Sequence, residues 1–283
     1  MEAGGGLGTE IAKLFRELRL AKELPELRGH PLNIPSFEEG SFRQEMDLSQ
    51  KRWTRVENYI DGLLIAADSA LDAALKESAK AGLPEIAVTP GQGKLLHLLA
   101  RMVGARRILE IGTLGGYSTI WLARALPADG LLVTLEADRK HFHVAQRNIL
   151  NAGFAKLVQQ RLGRALNTLP KIAAEGIGPF DFVFIDADKE STTEYFEWAL
   201  RLSRPGSAVM VDNVIRDGEV ANARTSDPRV LGIRRFNEAL ARETRVSATT
   251  IQTVGSKGYD GFTLALVLSQ GVSEEPKNHP SAA

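Results

Sequence analysis

Cysteine is absent from the 283 residues, which excludes disulfides, a thiolate nucleophile and cysteine-ligated zinc, and suits a reducing compartment. No stretch approaches the roughly 20 consecutive apolar residues of a helical membrane span. The opening MEAGGGLGTE has an acid at position 2 and no apolar run behind it, so it is not built like a secretory signal. The expectation is a cytoplasmic protein without a membrane partner. Surplus charge is missing too: 35 Lys and Arg balance 35 Asp and Glu, so no global field draws the chain to nucleic acid. The five histidines, His141 and His143 among them, show no spacing suited to zinc or to a general base and read as surface or core residues. Binding must come from local sites.

With 43% hydrophobic and 25% charged residues, the chain has enough apolar material for a sizeable core. Its organisation changes near residue 48. Residues 1–48 combine a glycine-rich start, an amphipathic pattern (Ile11, Leu14, Phe15, Leu18) and a stretch broken by Pro25, Pro31 and Pro35. They read as an appendage for dimerisation or a lid over substrate. The body covers 49–270, and 271–283 reads as a flexible tail. From Trp53, the positions Val56, Tyr59, Ile60, Leu63 and Leu64 follow helical spacing. Asp68 caps a second helix ending at Gly82, and a third covers about 93–103.

Seven strand candidates follow: RILEIG, LLVTLE, KLVQQRL, FDFVFID, SAVMVD, RVSATTIQTV and FTLALVL. Helical patterns separate the first six, as parallel pairing requires, while the connection GSKGYDG is too short for a crossover. The fold class is α/β: a seven-stranded Rossmann-like sheet, mostly parallel with one antiparallel strand, and helices on both faces. Ligands of such sheets bind outside the carboxyl ends of the strands. Glu110, Glu136, Asp186 and Asp212 all stand at or near strand ends. In EIGTLGGYS (110–118), glycines at 112, 115 and 116 allow close backbone approach to a ligand, but the spacing departs from the dinucleotide fingerprint G-x-G-x-x-G. Glu136, 24 residues after Gly112, is placed to accept ribose hydroxyls. A nucleoside without an essential phosphate site fits this pair.

The motifs LEIGTLGGYS, TLEAD, FDFVFIDADK and VMVDNV, in that order, resemble those of the class I S-adenosylmethionine-dependent O-methyltransferases. The resemblance is to the cation-dependent branch that includes caffeoyl-CoA and catechol O-methyltransferases, and it covers about 53–268. It implies a methyltransferase domain over 49–270, with Glu110, Gly112, Thr113 and Ser118 on the methionine side of S-adenosylmethionine. Glu136 would hold the ribose, and Val88, Ala165 and Asp188 would complete the pocket. It further implies a divalent cation, Mg2+ foremost, on Asp186, Asp212 and Asn213, a catalytic Lys189 beside Asp186, a small catechol-like acceptor and a homodimer. Where caffeoyl-CoA members carry a substrate-binding asparagine after the Asp-Asn pair, this sequence has Asp217.

Two carboxylates and an amide oxygen form a hard site suited to Mg2+, and a nearby cation lowers the pKa of a phenol from its ordinary value near ~10. Plainer readings stand beside these. Glu110 could pair with Arg106 or Arg107, Ser118 could merely cap a helix, Asp188 and Lys189 could form a solvated ion pair, and Trp198 could be helix packing. Two alternatives for the whole chain are an NAD-dependent dehydrogenase, which lacks its phosphate-binding glycines and a Tyr-x-x-x-Lys pair here, and a non-catalytic binding or oligomer-forming protein on the same fold.

Overall fold

The computed structural model describes residues 39–268, with side chains from residue 48. The chain divides into two compact units, Met1–Met46 and Asp47–Ala283, and the sheet lies wholly within the second. Apart from the helix backbone starting at Glu39, the expected appendage and the 271–283 tail lie outside the described residues.

Helix α1, Glu39–Leu64, starts well before the expected position 53 and runs through the boundary placed near 48. Between Phe42 and Asn58 the sequence holds neither proline nor glycine, so nothing local stops it. Its periodic positions Val56, Tyr59, Ile60, Leu63 and Leu64 are exposed; here the helical period does not mark a core-facing stripe. Helix α2, Ser69–Lys80, is capped by Asp68, which accepts from the amides of Ala70 at 3.1 Å and Leu71 at 3.0 Å. Helix α3, Pro90–Met102, starts behind the Thr89 cap. Pro90 suits the first turn because its missing N–H would have had no helical partner.

The strands are β1 (Arg107–Ile111), β2 (Leu131–Glu136), β3 (Val158–Leu162), β4 (Phe180–Ile185), β5 (Ser203–Asp212), β6 (Val246–Gly255) and β7 (Gly258–Val267). Between them run α4 (Tyr117–Ala123), α5 (Arg139–Asn151), α6 (Ala165–Ala174), α7 (Thr192–Arg201) and α8 (Pro228–Arg242). The sheet order is β3-β2-β1-β4-β5-β7-β6. All pairings are parallel except those of β7 with β5 and β6. The expected mostly parallel sheet with one reversed strand is therefore present.

Alternation along the central strands fills both faces. Ile108, Leu132, Phe182, Phe184, Ala208 and Met210 enter one apolar cluster with α2, α3 and α4. Leu109, Val133, Val183, Ile185, Val209 and Val211 enter the other with α6, α7 and α8. The side-chain period of two sends neighbours to opposite faces, so these strands read as continuous apolar runs. Phe182 and Phe184 are fully buried, and truncating either to alanine would cost about 3–5 kcal/mol.

From β1 the chain moves outward to β2 and β3, then returns to β4 on the other side of β1. The loops after β1 and β4 thus diverge at the topological switch point, where such sheets open a crevice. At the far edge, Ser256 and Lys257 join β6 to β7, and Tyr259 lies in β7, not in the turn where the sequence suggested it. From α1, Gln50 Nε2 donates to the carbonyls of Gly255 at 2.8 Å and Ser256 at 3.1 Å, and Glu57 accepts the Ser256 N–H.

Candidate active site

The loop after β1 turns at Gly112, whose φ of 102° lies in the left-handed region. A Cβ at this position would collide with the Asp186 carbonyl oxygen, so glycine lets the two strand-end loops meet. Beneath this loop Glu110 is fully buried. Ser118 and Thr119 donate to its two oxygens at 2.6 and 2.5 Å, and Thr134 of β2 adds a third bond at 2.7 Å. Burial pushes this carboxyl up to about 7 against the opposing effect of the three hydroxyls. Neither neighbouring arginine reaches it. Arg106 pairs with Asp129, and Arg107 donates to the carbonyls of Ile177 and Gly178.

Glu136 ends β2 and ties the loop to it. One oxygen accepts the Leu114 amide at 2.8 Å and the other accepts the Asp138 amide at 2.8 Å. A carboxylate offers about four acceptor positions, so each oxygen keeps capacity for a further donor. His141 Nδ1 stands 3.7 Å from Glu136.

After β4 the chain enters the short 3₁₀ helix Lys189–Ser191. Lys189 is buried. Its Nζ donates to Asp186 Oδ1 at 2.9 Å and to the Asp212 carbonyl at 3.2 Å. Asp188 instead accepts the Tyr195 hydroxyl of α7, so Asp188 and Lys189 are not the solvated pair their adjacency suggests. Burial, and then Asp188, raise the Tyr195 hydroxyl above its ordinary range. Asp212 ends β5 buried and accepts the Asn213 N–H at 2.9 Å. Its carboxyl is raised to about 7, first by burial and then by Asp186, while Lys189 acts in the other direction. Asn213 has the left-handed φ of 58°. Among the described residues no three His, Cys, Asp or Glu side chains gather as a metal cluster. The candidate set is two carboxyls and an amide.

One cavity of about 1120 Å³ gathers most of these positions. Gly112, Thr113, Ser118, Glu136, Ala165, Asp186, Asp188, Lys189 and Asn213 all line it. Val88, Glu110 and Asp212 do not. Val88 packs into the apolar cluster while Ala87 forms the wall, Glu110 lies behind the loop it braces, and Asp212 is reached through Lys189 and Asn213. Sequence reasoning passed over Tyr195, Arg216, Arg229 and Lys257, and set aside His141, yet all five line the cavity. The available signal for Tyr195 was its place seven residues after Asp188, across the start of a helix. Trp198 packs against the apolar cluster beneath, as expected.

A family model described as O-methyltransferase matches residues 65–268. A catechol O-methyltransferase from Niastella koreensis is 56% identical over 212 residues, which is 75% of this chain and 96% of that protein. An O-methyltransferase from Bacillus cereus, solved in complex with SAH, has a TM-score of 0.76 at 56% identity and spans 77% of this chain and 99% of its own. TomG from Streptomyces achromogenes, involved in tomaymycin synthesis and solved with SAM, has a TM-score of 0.76 at 55% identity, covering 78% and 99%.

Proposed function

The chain belongs to the O-methyltransferase family and is an S-adenosylmethionine-dependent O-methyltransferase, and we propose that it methylates a hydroxyl of a small catechol-like or phenolic acceptor with the aid of a divalent cation. Membership removes the dehydrogenase and the non-catalytic alternatives. The observation that carries the proposal is a single cavity lined both by the glycine loop with Glu136 and by Asp186, Lys189 and Asn213.

S-adenosylmethionine supplies the methyl group, activated on its sulfonium. For its part the chain binds and orients. Gly112 exposes backbone at the β1 end, Glu136 keeps acceptor capacity for ribose hydroxyls, and Thr113, Ser118, Ala165 and Asp188 shape the surrounding wall. Glu110 acts from behind by fixing Ser118 and Thr119.

The donor set fits a hard divalent cation. Asp186 opposes the ionisation of Asp212, a conflict that a cation would relieve, and Asn213 adds an oxygen without adding repulsion. Asp186, Asp212 and Asn213 would hold it; when bound, it supplies positive charge that acidifies a phenol and fixes its orientation. Lys189 holds its ammonium against Asp186 and the Asp212 carbonyl. There it stabilises the phenolate and, in its neutral form, takes the phenolic proton.

The test combines calorimetry of S-adenosylmethionine binding with mass spectrometry of products from methyl-labelled cofactor. Labelled catechol, caffeate or flavonoid is expected. Cofactor binding with no product from any catechol-type acceptor would reject this acceptor class.

A further inference from the structure

Three cationic side chains line the cavity from the loop after β5, the start of α8 and the β6–β7 turn: Arg216, Arg229 and Lys257. Two of them are already engaged. Arg229 grips Asp227 through Nε at 3.1 Å and Nη2 at 2.7 Å, and Lys257 Nζ donates to the Ala87 carbonyl.

Arg216 differs. Its backbone is held firmly: Asp260 Oδ1 accepts the amides of Ile215 and Arg216 at 3.0 Å and of Gly261 at 2.9 Å. Arg216 and Asp217 both adopt φ of 54°, which turns the chain back on itself. The Arg216 side chain is only 24% exposed, and its Nη1 stands 3.9 Å from Asp260 Oδ2, beyond hydrogen-bond length. Its Nε is buried with no partner among the described residues. Asp227 feels its charge, but no hydrogen bond joins the two. A guanidinium thus sits on the cavity wall, fixed at its backbone, with its Nε removed from water and unmatched and its Nη1 held only by a long ion pair to Asp260. Leaving such a donor unmatched is costly, and the planar guanidinium fork matches the two oxygens of a carboxylate.

We infer that Arg216 is a specificity-determining residue that recognises a carboxylate carried by the acceptor, on the catechol ring or on a short side chain. The inference rests on the proposed catechol-type acceptor. The competing acceptor is a catechol amine, because Glu190 lines the same cavity and is exposed. Lys189 already answers the charge of Asp186, so that acid does not bar an anion from the wall.

The experiment is calorimetry on the full chain with S-adenosylhomocysteine and Mg2+ present. The titrants are 3,4-dihydroxybenzoate, its neutral amide, and a catechol bearing a 2-aminoethyl group. The acid is expected to bind about tenfold or more tightly than the amide, the usual effect of a charge-assisted hydrogen bond. Arg216→Gln should erase that ratio and Arg216→Lys should keep part of it, since a lysine retains the charge but not the fork. A purely structural role for Arg216 would weaken all three ligands alike and leave the ratio intact. Equal binding of acid and amide to the unaltered chain, tighter binding of the amine, or an acid preference that survives Arg216→Gln would each overturn the inference. Should Arg216→Gln fail to fold, the unaltered chain and Arg216→Lys still decide. Methylation of plain catechol by the unaltered chain reports separately on the acceptor class, so the two failures are distinguishable.

Discussion

Lys189 and Asp186 face each other across 2.9 Å, three residues apart, because the turn after β4 folds Lys189 back over the strand end while Asp188 points to Tyr195. The ammonium therefore belongs to the Asp186 and Asp212 group and not to its sequence neighbour.

Removing that ammonium would take from Asp186 its ion-pair partner at 2.9 Å and leave Lys257, whose charge also acts on both carboxyls. Lys189→Ala is expected to lower single-turnover methylation of catechol by roughly 10²- to 10⁴-fold, with cofactor affinity nearly unchanged. A more acidic acceptor should lose less. Unaltered turnover, measured where chemistry limits the rate, would make Lys189 a bystander.

Activity is expected to vanish on exhaustive chelation and to return with Mg2+ or Mn2+, since oxygen donors accept either. Asp212→Ala should abolish this recovery while S-adenosylmethionine still binds, because Glu136 and the glycine loop lie at other strand ends. Full turnover in protein shown metal-free by mass spectrometry would reject the cation's role.

Glu110 gives the fold a pH dependence. Its carboxyl titrates near 7 in the native state against an ordinary 4.5, so between these values the native state holds a proton that the unfolded chain has lost. Stability from this group is full below about 4.5 and declines as pH rises, by at most about 3 kcal/mol, until it levels above about 7. Asp212, also raised to about 7, declines in an overlapping window. Urea melts of the unaltered chain and of Glu110→Gln, compared from pH 4.5 to 8, isolate the Glu110 part. A difference that does not fall with pH would show that the carboxyl is ionised throughout.

Gly112→Ala introduces both a disfavoured φ and a collision with the Asp186 carbonyl. The expected loss is about 2–5 kcal/mol of stability, together with weaker cofactor binding as the loop is displaced. Thermal unfolding and calorimetry check this; neither quantity changing would mean that the β1 and β4 loops move apart freely.

The central strands were legible as apolar runs because they are buried on both faces, the largely polar and exposed edge strands β3 and β6 only through their place in the alternation of strand and helix, and the short last connection disclosed the reversed strand. The start of α1 was not legible, since the apolar spacing that marks a helix begins only at Trp53 and Val56. At the site, glycines and strand-end acids could be read directly, whereas partners could not. Glu110 has two arginines nearby in sequence, but both engage other groups, and its actual partners are hydroxyls 8, 9 and 24 residues away. Arg216 escaped notice because only the positive φ of its backbone and the fixed Asp260 place it on the cavity wall. Local composition does not record such a turn.

The contact between Glu57 of α1 and Ser256 of the β6–β7 turn joins residues 199 apart in sequence. On a translating ribosome that emits about 5–20 residues per second, α1 would wait roughly 10–40 s for this anchor. Throughout that interval α1 has no hold on the sheet through Glu57 or Gln50, whose partners lie at Gly255 and Ser256. The earliest described helix and the final strand pair thus complete their connection only at the end of synthesis.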